Sequence, residues 1–420
     1  MRRPTGRRPR LLLWIALAAL VVGLGAISVH RLFRGSSALD DTLEYARELV
    51  LEGTNAYETH RTEGTHSKYP PFFFLVTAPL ALLPLGVAGA IWFLLNTSLS
   101  VACCVLAVAA FRAPGTGGRL PPIAYASPGL LAAVVIVTNL SRGQVNILIL
   151  FFVCLGLYAF RRGRDLRAGL ALGIAVALKL TPLLLVVYLL YRRAWRVALG
   201  TGIALIVAWA ILPALVFGPR EAVTVTKSWV GVVQTFSEKG VLGEGVAGVR
   251  HTNQSLSAAF HRFFTRSPAD AGRTDFYLNV ASLDYETAAW IVRALSALVL
   301  LLLAWFVRGP IGERGADVRW GYEISLVLLA VLIISPISWI NHYVVLIVAF
   351  AAALEGMRRA SPGAPDRRLL GRANGLCALF VTLSVVLLVL ALSLPLLGAL
   401  LLAGALAVAN ARARRAFAHS

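Results

Sequence analysis

Two adjacent carboxylates, Asp40 and Asp41, stand where the first long apolar run gives way to a polar segment, residues 40–74, that closes on Tyr69-Pro70-Pro71. A carboxylate held at the edge of an apolar wall can serve as a general base, taking the proton of an attacking hydroxyl. Asp41 has an equally plain structural use, as the N-cap of the amphipathic stretch TLEYARELVLEG that Gly53 would end. Asp40 can do either job, one carboxylate capping while the other reacts. Lys179 lies between two apolar runs, in Lys179-Leu180-Thr181-Pro182, where an ammonium is costly unless it has a partner. A structural ion pair or snorkelling to the interface would satisfy it. The sharper reading joins it to Arg142, in the neighbouring turn Ser141-Arg142-Gly143-Gln144, as two cations on one lipid phosphate.

Around these stand groups suited to a sugar. Gln144, Asn146, Asn253 and Gln254 are amides of the kind that read hydroxyls, although amides also tie membrane helices together. Tyr69 and Trp339 are stacking platforms or members of an interfacial aromatic belt. His342 is a core histidine or a member of the site. The seven histidines are scattered, with no HExxH, and the Asp40-Asp41 pair lacks the usual spacer. No metal and no cofactor is expected on these grounds. A glycine-rich phosphate loop is also missing, which disfavours a nucleotide-sugar donor and favours a lipid-linked one. The four cysteines, Cys103, Cys104, Cys154 and Cys377, all fall inside apolar runs without disulfide or zinc spacing.

What positions these residues is a chain that is 58% hydrophobic and only 14% charged over 420 residues, the composition of an all-α polytopic membrane protein. Apolar runs predict about twelve spans, at 11–29, 86–111, 122–139, 145–160, 165–178, 181–191, 196–217, 288–307, 321–335, 338–355, 370–390 and 393–409. The first is an uncleaved span rather than a signal peptide. Residues 71–83 are too few to cross and read as a re-entrant or interfacial helix. Most of the 40 lysines and arginines, and few of the 20 acidic residues, fall on the face shared by the two termini. That face is therefore cytoplasmic. The formal charge of +20 is thus topology, and no nucleic-acid partner is needed to explain it. The candidate residues gather at the outer ends of the spans. The runs 165–178 and 181–191 measure about 21 and 16 Å against a hydrocarbon core of about 30 Å, which sinks Lys179 below the outer surface. The chain reads as one membrane domain, 1–420, with a first outer loop at 30–85, a large outer loop at 218–286, and C-terminal spans and a basic tail at 368–420 that face lipid or pack.

Several segments resemble glycosyltransferase family 87 in order and spacing. They are Asp41 with Tyr45, EGTNAY, KYPPFFFLVTAPLALLP, NLSRGQVNILILFFVCLGLYAFRRGRDLRAGLALGIAVALKLTPLLLVVYLLYRRAWR and SPISWINHYVVLIVA. The resemblance spans residues 35–355. It implies a GT-C type fold and transfer of mannose, with inversion, from polyprenyl-phosphate-mannose to a hydroxyl of a glycolipid or lipid-linked glycan. The reaction would take place at the outer, periplasmic face of the cell membrane. It places the base at Asp41, with Asp40 as runner-up, and maps the family's YPP, RGQ, KLTP and NQS elements to Tyr69-Pro70-Pro71, Arg142-Gly143-Gln144, Lys179 to Pro182, and Asn253-Gln254-Ser255. Its SPxSW segment maps to Ser335 to Trp339. Many members have paired histidines beyond it where this chain has Asn341-His342, so a role needing both imidazoles does not carry over. A phosphate leaving group needs no protonation, so one base and no second acid suffice. The rival readings are a transporter or flippase of a lipid-linked sugar, and transfer of another sugar such as arabinose or glucose.

Overall fold

The computed structural model describes residues 7–59, 67–112, 119–242, 250–269, 276–308 and 317–418. Arg2 and Arg3, and parts of the turns and outer loops named above, lie outside these residues. Among the described residues the regular structure is helical, with extended pairing limited to the isolated bridges Asn253 with Trp339, Thr265 with Leu283 and Pro268 with Tyr277. Among the described residues five helices are long and apolar enough to cross a bilayer: Leu85–Phe111, Trp195–Phe217, Tyr285–Phe306, Ile340–Arg359 and Leu394–Ala416. A sixth is formed if Pro122–Leu131 and Ala133–Ser141, bent by 69°, count as one. Other apolar runs form shorter helices, among them Asn146–Arg161, Asp165–Leu178, Leu183–Tyr191 and Arg319–Ile334. The run expected at 370–390 is interrupted: Pro365–Thr382 gives way to a 3-10 turn and the short helix Leu387–Ala391.

The helix bearing the two carboxylates is Ala38–Ala46, and its N-cap is Ser37, whose hydroxyl accepts from the Leu39 amide. This overturns the capping role for Asp41. Serine is as good a cap as aspartate, and here it comes first, leaving Asp40 and Asp41 inside the first turn. Helix Pro71–Ala81 has 11 residues, about 16 Å at 1.5 Å per residue, and is too short to cross, as expected. It buries Phe73, Phe74, Thr77 and Ala78, and Phe74 stacks at 5.3 Å on Tyr45 of the carboxylate-bearing helix.

Helix Asp165–Leu178, which ends at Lys179, is fixed by backbone-to-backbone packing against Trp195–Ile206. A Cβ at Gly169 would overlap the Val197 carbonyl, one at Gly200 the Leu166 carbonyl, and Thr201 Oγ1 donates to the Gly169 carbonyl at 3.1 Å. Small residues at such crossings are how membrane helices come close without a hydrophobic drive between them. The C-terminal segment packs: Gln254 Nε2 donates to the Leu390 carbonyl at 2.7 Å and Arg262 Nη2 to Ser393 Oγ at 2.5 Å. All four cysteines are buried.

The two ends of the bundle carry charge differently. At the N-terminal end of Arg319–Ile334, Glu323 pairs with Arg192 and with Arg414 (2.7 Å) and accepts from Tyr188 Oη (2.7 Å). Glu355 pairs with Arg358 and Arg359 at 2.5 and 2.8 Å, and Asp366 with Arg412 at 2.5 Å. Lys179 and His342 lie at the other end, beyond the opposite termini of the same short helices.

Candidate functional site

Lys179 is the centre of the site. Its backbone is extended (φ −162°, ψ 133°), which stops the helix and turns the side chain inward. Its ammonium donates to Asn146 Oδ1 at 3.0 Å and lies 3.2 Å from His342 Nε2. Asn146 is itself held: its Nδ2 donates to Asn139 Oδ1 at 3.1 Å, and Asn139 Nδ2 donates to the Asn341 carbonyl at 2.8 Å. A chain of amides therefore joins three segments and points an acceptor at Lys179. The cation is met by neutral partners, and no carboxylate pairs with it among the described residues. Beside it opens a cleft with Asn146, Lys179, Ser335, Ser338 and His342 at its polar end and an apolar wall that includes Ile149, Leu150, Val153, Leu328 and Val331. Such a cleft fits an anion carried on a hydrocarbon chain.

Tyr69 closes one side. Its ring lies 5.6 Å from the Lys179 ammonium and 4.5 Å from the Phe73 ring, and its carbonyl accepts from Tyr57 Oη at 2.7 Å. Burial first, and then the charge of Asp41, push the Tyr69 phenol well above its usual range. Tyr69 and Lys179 therefore meet directly, and Asp41 stands on the helix whose Tyr45 stacks on Phe74 of Pro71–Ala81.

Asn253 and Gln254 are fully buried and bonded to backbone. Asn253 Nδ2 donates to the Pro336 carbonyl at 3.0 Å, and its Oδ1 accepts from the amides of Ser338 and Ser255 at 2.8 and 3.1 Å. Gln254 Nε2 donates to the His251 and Leu390 carbonyls. These amides clamp the Asn253 loop onto Pro336–Trp339 and thereby set Trp339, whose ring stacks 6.1 Å from that of His342. Gln144, half-buried, borders the turn with no bonded side-chain partner among the described residues. Arg142 is exposed and is not among the residues lining the Lys179 cleft. Its backbone instead seats the carboxylate-bearing helix, the Ala38 amide donating to its carbonyl at 2.9 Å. Among the described residues no three His, Cys, Asp or Glu side chains gather as a metal set.

Two site residues escape sequence reading. Asn139 is one, visible only as a buried polar group seven residues before Asn146. Lys68 is the other. Its ammonium lies 3.1 Å from the centre of the Phe236 ring and 5.3 Å from that of Trp339, and Trp229 Nε1 donates to its carbonyl at 3.1 Å. Burial, with a smaller contribution from Lys179, pushes Lys68 down to about 7. Its position immediately before Tyr69-Pro70-Pro71 was the available signal. Phe236 and Trp229 come from helix Pro219–Leu242, which also meets the first outer loop where Asn55 Nδ2 donates to Ser228 Oγ at 3.1 Å.

The family model that matches the chain is glycosyltransferase family 87, over residues 68–336. A polyprenol-phosphate-mannose-dependent alpha-(1-2)-phosphatidylinositol mannoside mannosyltransferase of Mycobacterium tuberculosis is 28% identical over 69% of this chain and 62% of its own length. The chain thus spans less than two thirds of that relative. A polyprenol-phosphate-mannose-dependent alpha-(1-2)-phosphatidylinositol pentamannoside mannosyltransferase of Mycolicibacterium smegmatis is 30% identical over 83% of this chain and 73% of its own. An alpha-(1->3)-arabinofuranosyltransferase of M. tuberculosis is 29% identical over 43% of this chain and 42% of its own.

The seat of the carboxylate-bearing helix is testable through Gly143. It has φ +62°, and a Cβ there would stand 2.5 Å from Ser37 Oγ and 3.0 Å from Leu39 Cβ, whereas Gly163, at φ +70°, has open space around it. Both alanine variants should incur backbone strain of about 1–3 kcal/mol. Gly143→Ala should lose clearly more thermal stability in detergent than Gly163→Ala. Equal losses would mean that the helix is not seated on this turn.

Proposed function

The chain belongs to glycosyltransferase family 87, and on that premise we propose that it transfers a mannosyl residue from polyprenyl-phosphate-mannose to a hydroxyl of a membrane glycolipid. The observation that carries this reading is the Lys179 cleft: a cation held by neutral partners at the head of an apolar groove. A phosphate on a polyprenyl chain supplies the missing anion and fills the groove. The named activities of the mycobacterial relatives point to the same donor.

In the mechanism, Asp41 accepts the proton of the acceptor hydroxyl as its oxygen bonds to the anomeric carbon. The bond from that carbon to the phosphate oxygen breaks on the opposite face, and the phosphate leaves with the electron pair, giving inversion. Its charge rises from about −1 toward −2 on departure, and Lys179 and Lys68, pre-oriented out of bulk water, offset that increase. Asn146 and His342 aim Lys179, Asn253 and Gln254 hold the Trp339 segment, and Tyr69 and Trp339 offer ring faces to the sugar. Gln144 remains available for a sugar hydroxyl. The twelve crossings, the cytoplasmic termini, the GT-C architecture and an active site at the outer face of the cell membrane belong to the same proposal. Similarity to an arabinofuranosyltransferase over part of the chain favours arabinose as the second donor sugar.

The full-length protein, reconstituted in lipid with radiolabelled polyprenyl-phosphate-mannose and a membrane-lipid extract, should label a glycolipid. Asp41→Asn should lower transfer by about 100- to 10,000-fold, the usual contribution of a general base, while still binding donor. Lys179→Ala should lose donor binding as well. Label exchanging between leaflets with no acceptor labelled, regardless of Asp41, would instead establish a lipid-sugar transporter. Because Lys68 loses its proton as pH rises through about 7, the KM for donor should climb above that pH. Lys68→Arg, which stays charged, should flatten the climb. A KM independent of pH in both proteins would remove Lys68 from the donor site.

A further inference from the structure

A second cavity, of about 170 Å³, opens at the end of the bundle opposite Lys179. Val108, Ala124 and Leu354 contribute to its apolar wall, and Glu355, Arg358 and Arg367 stand on its polar side. Helix Ile340–Arg359 joins the two places, with His342 near one end and Glu355 about 20 Å further on at 1.5 Å per residue. Leu85–Phe111 and Ile340–Arg359 are each long and apolar enough to cross a bilayer, so the ends that carry Val108 and Arg358 stand at a membrane surface. On another side the same ends are tightly packed: a Cβ at Gly321 would stand 3.2 Å from both Ala352 Cβ and Phe111 Cδ1. The cavity is therefore a feature of one side of these helices and not of a loosely packed end.

The one carboxylate on the polar side is shared. Arg358 Nε donates to Glu355 at 3.1 Å and Arg359 Nε at 2.8 Å, while Arg359 Nη2 donates to the Phe111 carbonyl at 2.7 Å. Arg358, with its side chain 39% exposed, keeps Nη1 without a bonded partner among the described residues. Arg367 is exposed and has no bonded partner among them either. Its chain neighbours are committed elsewhere, Asp366 to Arg412 and Arg368 to the Gly363 carbonyl at 2.8 Å. Guanidinium forks match phosphate oxygens two at a time, and basic pockets between membrane helices select anionic headgroups. A soluble anion would leave the apolar wall wet. A neutral lipid would leave the arginines unanswered, and a cation would be repelled by them.

We propose that this cavity binds an anionic phospholipid of the surrounding bilayer, with the phosphate on Arg358 and Arg367 and an acyl chain along Val108, Ala124 and Leu354. The lipid is neither donor nor acceptor, and the site does not depend on the transferase reading. It fills the space beside Ile340–Arg359 and so braces the helix that brings His342 to Lys179. A ligand held by the folded chain alone stabilises it by mass action.

The test titrates the full-length protein, in uncharged detergent, with phosphatidylglycerol, phosphatidylcholine of the same chains, glycerol phosphate and polyprenyl phosphate, reading the melting temperature at each concentration. Half-maximal stabilisation should need roughly tenfold less phosphatidylglycerol than phosphatidylcholine. Arg367→Gln should bring that ratio toward one, whereas Arg368→Gln, one residue along, should leave it intact. Ala124→Phe, which fills the apolar wall, should weaken both lipids. Should that variant fail to fold, the Arg367 and Arg368 pair still decides. A native ratio near one overturns the proposal, and so does a ratio that survives Arg367→Gln. A ratio lowered equally by both glutamine variants would assign the preference to general surface charge and overturn it. Glycerol phosphate that stabilises as well as the lipid would make the occupant a soluble phosphate. Stabilisation by polyprenyl phosphate that Arg367→Gln abolishes would assign the cavity to the donor, and either result overturns the lipid site.

Discussion

An ammonium group in an apolar bundle is the constraint on which the rest of this structure depends. Among the described residues no carboxylate neutralises Lys179, so its desolvation is offset there by hydrogen bonds and ring faces. The surrounding polar residues follow from that. Asn146 accepts from it, Asn139 holds Asn146, His342 faces it and Tyr69 lies beneath it. A buried network of this kind rewards completeness and penalises each missing member. Asn253 and Gln254 are buried in the same way, Asn253 bonded to the Pro336 carbonyl and the Ser338 amide and Gln254 to the Leu390 carbonyl.

The two ends of the bundle treat charge in opposite ways, and this division separates scaffold from site. At one end Glu323, Glu355 and Asp366 are each joined to arginines. At the other end Lys179 meets amide, imidazole and ring faces, and Lys68 meets aromatic rings. A scaffold has no use for such an imbalance. A site that receives phosphates does, because the bound ligands then complete the charge balance and the departing phosphate gains stabilisation as its charge grows.

Much of this was legible in the sequence, and what was missed has physical reasons. Lys179 stands out because a charge between apolar runs is expensive wherever it sits, and length alone shows that helix Pro71–Ala81 is too short to cross. The sequence leaves Asp41 open as cap or base; the helix starts earlier, at Ala38, so Ser37 takes the cap. Arg142 and Lys179 stand in neighbouring turns and look alike in one dimension, but Arg142 does not line the Lys179 cleft. Its backbone faces the Ser37 cap instead, which no local pattern encodes. Lys68, in a polar loop, reads as solvated, and its burial comes from Phe236 and Trp229, far away in the chain. The count of crossings is the weakest inference from composition, since short apolar helices can cross obliquely, re-enter or pack beneath others.

The most direct test of the central claim is a cryo-EM structure of the full-length protein in nanodiscs with polyprenyl phosphate bound. The account predicts the phosphate within about 3 Å of the Lys179 ammonium, the distance of a charge-assisted hydrogen bond. Lys68 should be drawn to the same phosphate, with the hydrocarbon chain along the wall of Ile149, Val153 and Leu328. A phosphate bound away from Lys179, with that cleft left empty, would contradict it.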